Sequence, residues 1–236
     1  MNAYQNLLSV VEDNAHLISM VPVEELLRFG YEIGLKPEMK VLDLCCGYGT
    51  VLKVWHEAFG ISGVGVDREQ SFLDIGAKRL EKQGIESVKL INCDVTEYCD
   101  ETQYDVVICS ETINSIENTL SLGRRFLKPG GTLCYQKLYA KVSEPPQELI
   151  DFDVEVLPLS VLNRRFNDLD WYMTAMASDN AGMWEHYVVN WCGKRNWENG
   201  ASPEWSKTWY DMYFDYRRQY EGQALFGLKE IKEIVK

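Results

Sequence analysis

From position 40 onward, short apolar and β-branched runs alternate with longer stretches in which apolar residues recur at helical spacing. The runs at 40–44 (KVLDL), 62–66 (SGVGV), 88–91 (VKLI), 104–109 (YDVVIC) and 132–136 (TLCYQ) predict strands. Between them, 50–59, 70–83 and 116–127 predict amphipathic helices. Strands that alternate with helices of this length need crossover connections. The pattern therefore predicts an α/β fold, a Rossmann-like, doubly wound and mostly parallel sheet. Ahead of it, 5–34 reads as helical, with Val23, Leu26, Leu27 and Tyr31 at helix spacing after Pro22.

The second half differs in texture. Residues 142–153 contain Pro145, Pro146 and several acids and predict a surface connection. A helix at 159–168 and a strand at 171–177 follow. Two aromatic helices are predicted at 182–198 and 203–220, then a last strand at 224–228. Six of the seven tryptophans lie beyond position 170, so this half does not repeat the first. The expected organisation is one domain over 1–236: an N-terminal helical cover at 1–35, a core at 36–137, and a half at 138–236 with a helical lid at about 180–221 inserted before the last strand.

Charge and cysteine content narrow the possible partners. A formal charge of −12 disfavours nucleic acid, whose binding rests on Lys and Arg contacts to phosphate. No apolar stretch approaches the roughly 20 residues that cross a bilayer, so no membrane role is expected. The first nine residues lack a basic head and a long apolar run, and seven cysteines is an odd number. Both point to reduced thiols in a cytoplasmic protein.

The chemistry begins at "VLDLCCGYGT", 41–50. In a parallel α/β sheet, ligands bind beyond the carboxyl ends of the strands, so the turn after the first strand is the first place to look. Gly47 and Gly49 let the backbone turn tightly beside a ligand. A nicotinamide fingerprint needs a third glycine at 52, where Leu52 stands, and has no use for Asp43. An acid at the strand end suits a cationic amino-acid moiety instead. Asp67 ends the second strand, where a carboxylate can take both hydroxyls of a ribose, and Asp94 follows the third, where it can accept from an adenine amino group.

Taken together, "VLDLCCGYG", "GVGVD", "INCDV", "YDVVIC" and "LKPGGTL" resemble, in order and spacing, the class I S-adenosylmethionine-dependent methyltransferases. The resemblance covers 35–137. It implies S-adenosyl-L-methionine as cofactor, with Asp43, Gly47 and Gly49 around its methionine end, Asp67 at the ribose, Asp94 and Val95 at the adenine, and Cys45, Arg68 and Ser110 beside it. Cys45 stands where the family usually has glycine, and Cys46 is expected to pack under the loop. Neither belongs to a C-x-x-C pair, and no histidine follows at a zinc-like interval, so no metal is expected. Farther along, Pro145-Pro146, "MWEHYVVNW" and "RRQYEGQALFGL" are similar to a bacterial branch of small-molecule methyltransferases with a helical insertion between the last two strands.

The acceptor side is less determinate. Glu111, after the fourth strand, and His186, beside Trp184, are candidate bases for an acceptor hydroxyl or amine. Each has a plain alternative, a solvated loop acid and a helix-surface histidine. Glu111, Tyr135, Trp184, His186 and Trp209 are the candidate acceptor-pocket residues. The aromatic spacing also fits core packing. The expected activity is methyl transfer to a small-molecule acceptor. The alternatives are a regulatory or scaffold protein that binds the cofactor without transferring methyl, and an activity that modifies the cofactor itself.

Overall fold

The computed structural model describes residues 3–110, 115–152, 155–194, 198, 200 and 203–234. The N-terminal cover is two helices rather than one, α1 (Ala3–Ala15) and α2 (Val23–Glu32). Between them runs a non-helical strap, 16–22, which ends where Pro22 opens α2. Proline fixes its own φ and steers the preceding residue away from helix, so the break falls on its N-terminal side. Val23, Leu26 and Phe29 form the buried face of α2. Tyr31, expected on that face, is instead 80% exposed.

β1 (Lys40–Leu44), β2 (Ser62–Asp67), β3 (Val88–Asn92) and β4 (Tyr104–Ser110) alternate with α3 (Thr50–Phe59), α4 (Gln70–Lys82) and α5 (Ile116–Phe126). β5 spans Leu127–Ala140, well beyond the predicted 132–136. Within the expected surface connection, α6 (Gln147–Phe152) forms behind Pro146, whose carbonyl accepts from Leu149 and Ile150. α7 (Leu159–Asp168) and β6 (Trp171–Ser178) follow. The helical insertion comes next. Its first part, α8 (Ala181–Glu185), continues as a π-helix over His186–Gly193. Its second, α9 (Pro203–Met212), continues through a π-helical stretch, Tyr213–Arg217, and a last turn, Arg218–Tyr220. β7 (Glu221–Glu230) and the short α10 (Ile231–Ile234) close the chain.

The seven strands form one sheet in the order β3-β2-β1-β4-β5-β7-β6. Neighbours pair in parallel except β7, which runs antiparallel to both β5 and β6. The chain winds outward from β1 to β3, then returns to β4 on the other side. The switch point therefore lies between β1 and β4.

Both faces of the sheet are covered, which explains the near-continuous apolar strands. On one face Val41, Val106, Ile108, Cys134 and Leu225 pack with α2, α3 and the insertion. On the other, Leu42, Val107, Leu133, Tyr135 and Phe226 pack with α5 and α7. Trp55 is fully buried on the first face; it stacks on Phe29 at 6.3 Å and donates to the Leu26 carbonyl at 2.9 Å. Among the described residues, no helix is long and apolar enough to cross a membrane.

Candidate active site

The loop after β1 is shaped by three left-handed residues, Cys45 (φ 69°), Gly47 (φ 55°) and Gly49 (φ 68°). This conformation costs a residue with a Cβ roughly 1–2 kcal/mol, so Cys45 is where the loop carries strain. It is held to β2 by the Cys45 and Cys46 amides, which both donate to the Val66 carbonyl, at 2.8 and 3.1 Å. Cys46 is buried under the loop, its sulfur beside Gly65 of β2, where a Cβ would come within 2.8 Å of it. Burial and the neighbouring carboxylates push its thiol well above the usual range, opposite to what a reactive or metal-binding thiol needs.

A cavity of about 520 Å³ opens above this loop, in the size range of small-molecule and cofactor sites. Its floor is the row of strand ends: Asp43 on β1, Asp67 on β2, Asp94 just past β3, Ser110 on β4 and Gln136 on β5. Its roof is the strap, with His16, Leu17, Ile18 and Ser19 facing in. Of the predicted cofactor residues, Asp43, Cys45, Gly47, Asp67, Arg68, Asp94, Val95 and Ser110 line this one space. Gly49 stands behind them as the N-cap of α3.

The three acids are held differently. Asp67 accepts from the Gly47 amide at 2.7 Å and the Glu69 amide at 2.9 Å, one on each oxygen. Each oxygen keeps a lone pair for a ligand hydroxyl. Asp94 uses one oxygen for the Thr96 amide (2.8 Å) and hydroxyl (2.6 Å), which hold its carboxyl below the ordinary range. Asp43 is only 4% exposed, and it lines the cavity. Burial, then repulsion from Asp67, raises its pKa to about 7. A buried carboxylate in this position is stabilised by a cationic ligand group.

Among the described residues, the expected acceptor side chains are not gathered at the cavity. Tyr135 is 1% exposed and meets Phe166 edge-on on the opposite face of the sheet. Successive strand residues point to opposite faces, so the next residue, Gln136, faces the cavity instead. Trp184 is buried against Tyr213, its ring 5.2 Å from the Arg217 guanidinium, and donates its indole N–H to Asp179. Trp209 lies edge-on to Phe152 and 5.2 Å from Arg217. His186 sits half-buried in the π-helix and does not line the cavity. For Trp184, Val188 and Tyr213 the packing alternative holds, because their side chains join the core of the first sheet face. Glu111 lies outside the described residues.

Comparison with known proteins agrees with this geometry. Residues 41–131 match the family model described as a methyltransferase domain. A crystal structure of a methyltransferase from Geobacter sulfurreducens, in complex with S-adenosyl-L-homocysteine, superposes with a TM-score of 0.79. It is 25% identical and the match covers 91% of this chain and 93% of that one. Residues 41–131 form a class I S-adenosylmethionine-dependent methyltransferase domain. It is also similar to the uncharacterized protein YjhP of Escherichia coli, 26% identical over 184 residues, covering 74% of each. Phosphoethanolamine N-methyltransferase 3 of Arabidopsis thaliana is 33% identical over 119 residues, 48% of this chain but only 24% of that protein. In this methyltransferase the cofactor is S-adenosylmethionine. The site fits it, since Asp43 offers a buried carboxyl beside Asp67 to a molecule whose amino-acid end carries an ammonium.

The strap and Gln136 were absent from the predicted site. The break at Pro22 was legible as a helix boundary, but nothing in the sequence says that the residues before it roof a cavity. Gln136 could have been found from parity, since it stands four residues after Thr132 on the strand face opposite Leu133 and Tyr135.

Proposed function

We propose that this methyltransferase transfers a methyl group to a small-molecule acceptor bound at the β4–β5 end of the cavity. The observation that carries the reading is the order of polar groups along the sheet: three carboxylates at the ends of β1, β2 and β3, then Ser110 and Gln136 on β4 and β5. Strands lie ~4.8 Å apart, so a cofactor held over β3, β2 and β1 leaves the β5 wall roughly 10 Å away for a second molecule.

S-adenosylmethionine supplies an electrophilic methyl on a sulfonium, already a good leaving group. The work left to the protein is positioning and exclusion of water. In this assignment Asp43, Gly47 and Gly49 hold the methionine end, Asp67 the ribose hydroxyls, and Asp94 with Val95 the adenine. Cys45, Arg68 and Ser110 complete the cofactor walls, and the strap keeps water out. Glu111, one residue beyond Ser110 in the chain, is the proposed base where the acceptor must lose a proton; His186 is not placed to touch the cavity. The net charge of −12 supports a small acceptor over nucleic acid, and the odd count of seven cysteines supports a reducing, cytoplasmic setting.

Calorimetry tests the cofactor assignment. Asp67→Ala should weaken S-adenosylhomocysteine binding by about 2–3 kcal/mol, the scale of charged hydrogen bonds. Unchanged affinity in a folded variant rejects it. Mass spectrometry of small molecules that co-purify and gain 14 mass units, roughly one methylene, on incubation with S-adenosylmethionine tests the acceptor class.

A further inference from the structure

The roof of the cavity has no secondary structure of its own, so side chains from elsewhere must fix it. Two anchors do so. The near one joins it to the cofactor loop: Asp13, at the end of α1, pairs with Lys53 of α3 at 2.9 Å and with Arg79 of α4, and Thr50 donates to the His16 carbonyl. The far one comes from β7. Gln223 is 7% exposed and does not line the cavity, yet its Oε1 accepts from the Met20 amide at 2.9 Å and from Ser19 Oγ at 3.1 Å. Ser19 Oγ in turn accepts from the Val21 amide at 3.1 Å, and the Met20 carbonyl accepts from the Asn180 amide at 3.3 Å.

Gln223 is also tied to the helical insertion. Its backbone N–H donates to Asp179 Oδ2 at 3.1 Å, and its backbone carbonyl accepts from the Asp179 backbone N–H at 3.0 Å. The same Asp179 carboxylate receives the Trp184 indole N–H. A path of hydrogen bonds that enters Gln223 at its backbone and leaves through its side chain, Trp184–Asp179–Gln223–Ser19, therefore runs from the insertion to the cavity wall.

We propose that Gln223 is a positioning residue that sets the roof of the cofactor cavity and couples it to the helical insertion, so that the cofactor's dwell time depends on a side chain that never touches it. The inference rests on the cofactor reading above. Without Oε1, the Met20 N–H and the Ser19 hydroxyl lose their acceptor, and Ile18, whose Cδ1 would lie 3.0 Å from a Cβ at Gly47, loses its fixed position over the loop. The effect falls on release, because a loosened roof changes how long a bound molecule stays more than how often it arrives.

The test uses the full chain with S-adenosylhomocysteine as probe. Dissociation rates come from stopped-flow displacement, affinities from calorimetry, and amide hydrogen exchange follows 16–21 in the complex. Gln223→Leu should speed release roughly tenfold, the scale of two hydrogen bonds, and raise exchange in the strap. Gln223→Glu, which keeps an acceptor oxygen, should stay within about threefold of the parent. A folded Gln223→Leu that releases the probe at the parental rate overturns the proposal. So does a Glu variant as impaired as the Leu variant, since packing and not the acceptor would then be what matters. Should Gln223→Leu not fold, Ser19→Ala removes one of the same bonds, and parental release from it is equally fatal. A parent protein that binds no S-adenosylhomocysteine overturns the cofactor reading itself and this inference with it.

Discussion

Asp43 combines burial with a like-charged neighbour, Asp67, and both disfavour its ionised form. Its carboxyl is raised to about 7, so the ligand-free folded protein binds a proton there that the unfolded chain has released. Stability of the ligand-free form should therefore fall as pH rises from about 4 to about 7, and Asp43→Asn should flatten that slope. A cationic ligand group reverses the balance by favouring the carboxylate. S-adenosylhomocysteine should bind more tightly at about pH 7 than at about pH 5.5, with proton release. Calorimetry in buffers of different ionisation enthalpy measures that release directly; pH-independent binding without it would remove Asp43 from the cationic end. Two positions on, Cys45 makes a separate prediction from its backbone alone. At φ 69°, Cys45→Gly should keep cofactor affinity and leave thermal stability equal or higher, because glycine relieves about 1 kcal/mol of left-handed strain. Cys45→Val, β-branched in the same conformation, should lose both, which a melting curve with and without S-adenosylhomocysteine distinguishes.

Among the elements, the legible ones were those whose pattern and partner are both local. The strands starting at Lys40, Ser62, Val88 and Tyr104 and the helix Thr50–Phe59 follow from apolar runs bounded by glycine, proline or charge. What local pattern could not show was how far pairing carries an element. β5 extends to Ala140 because eight of its residues pair with β7, which lies some ninety residues away in the chain. The same blindness misplaced Tyr135 and Trp184, since a strand's parity and a helix's core face are decided by distant neighbours. Close approach between elements is equally hidden, and Gly76 of α4 is the sharpest case. A Cβ there would lie 2.4 Å from the Tyr48 carbonyl oxygen, in the cofactor loop itself. Helix propensity alone says Gly76→Ala should stabilise by about 1 kcal/mol. The clash is with backbone, which cannot swing aside, so we expect net destabilisation of about 1–3 kcal/mol in urea unfolding, together with weaker cofactor binding. A stabilised variant would show that α4 is free to move off the loop.

At the scale of the molecule, one sheet architecture serves many nucleotide ligands, and the loop after β1 decides among them. Here the position that a dinucleotide-binding loop reserves for its third glycine holds Leu52, fully buried, with its Cδ2 where a Cβ on Gly63 would lie 2.8 Å away. α3 is therefore held off the sheet by a leucine side chain rather than drawn onto it by a glycine. The cavity floor adds Asp43, Asp67 and Asp94, and the whole chain carries −12. A pyrophosphate would meet carboxylates on approach, whereas a sulfonium with an ammonium meets the charge it needs. S-adenosylmethionine and S-adenosylhomocysteine should thus raise the melting temperature in proportion to the logarithm of their concentration, approaching about 2.7 kcal/mol of stabilisation at a hundredfold excess over Kd. NAD and NADP at the same concentrations should leave the melting temperature where it was. Stabilisation by NAD that S-adenosylhomocysteine does not compete away would mean that the acids and Leu52 do not govern ligand choice, and that the assignment of the cavity along β1 to β3 is wrong.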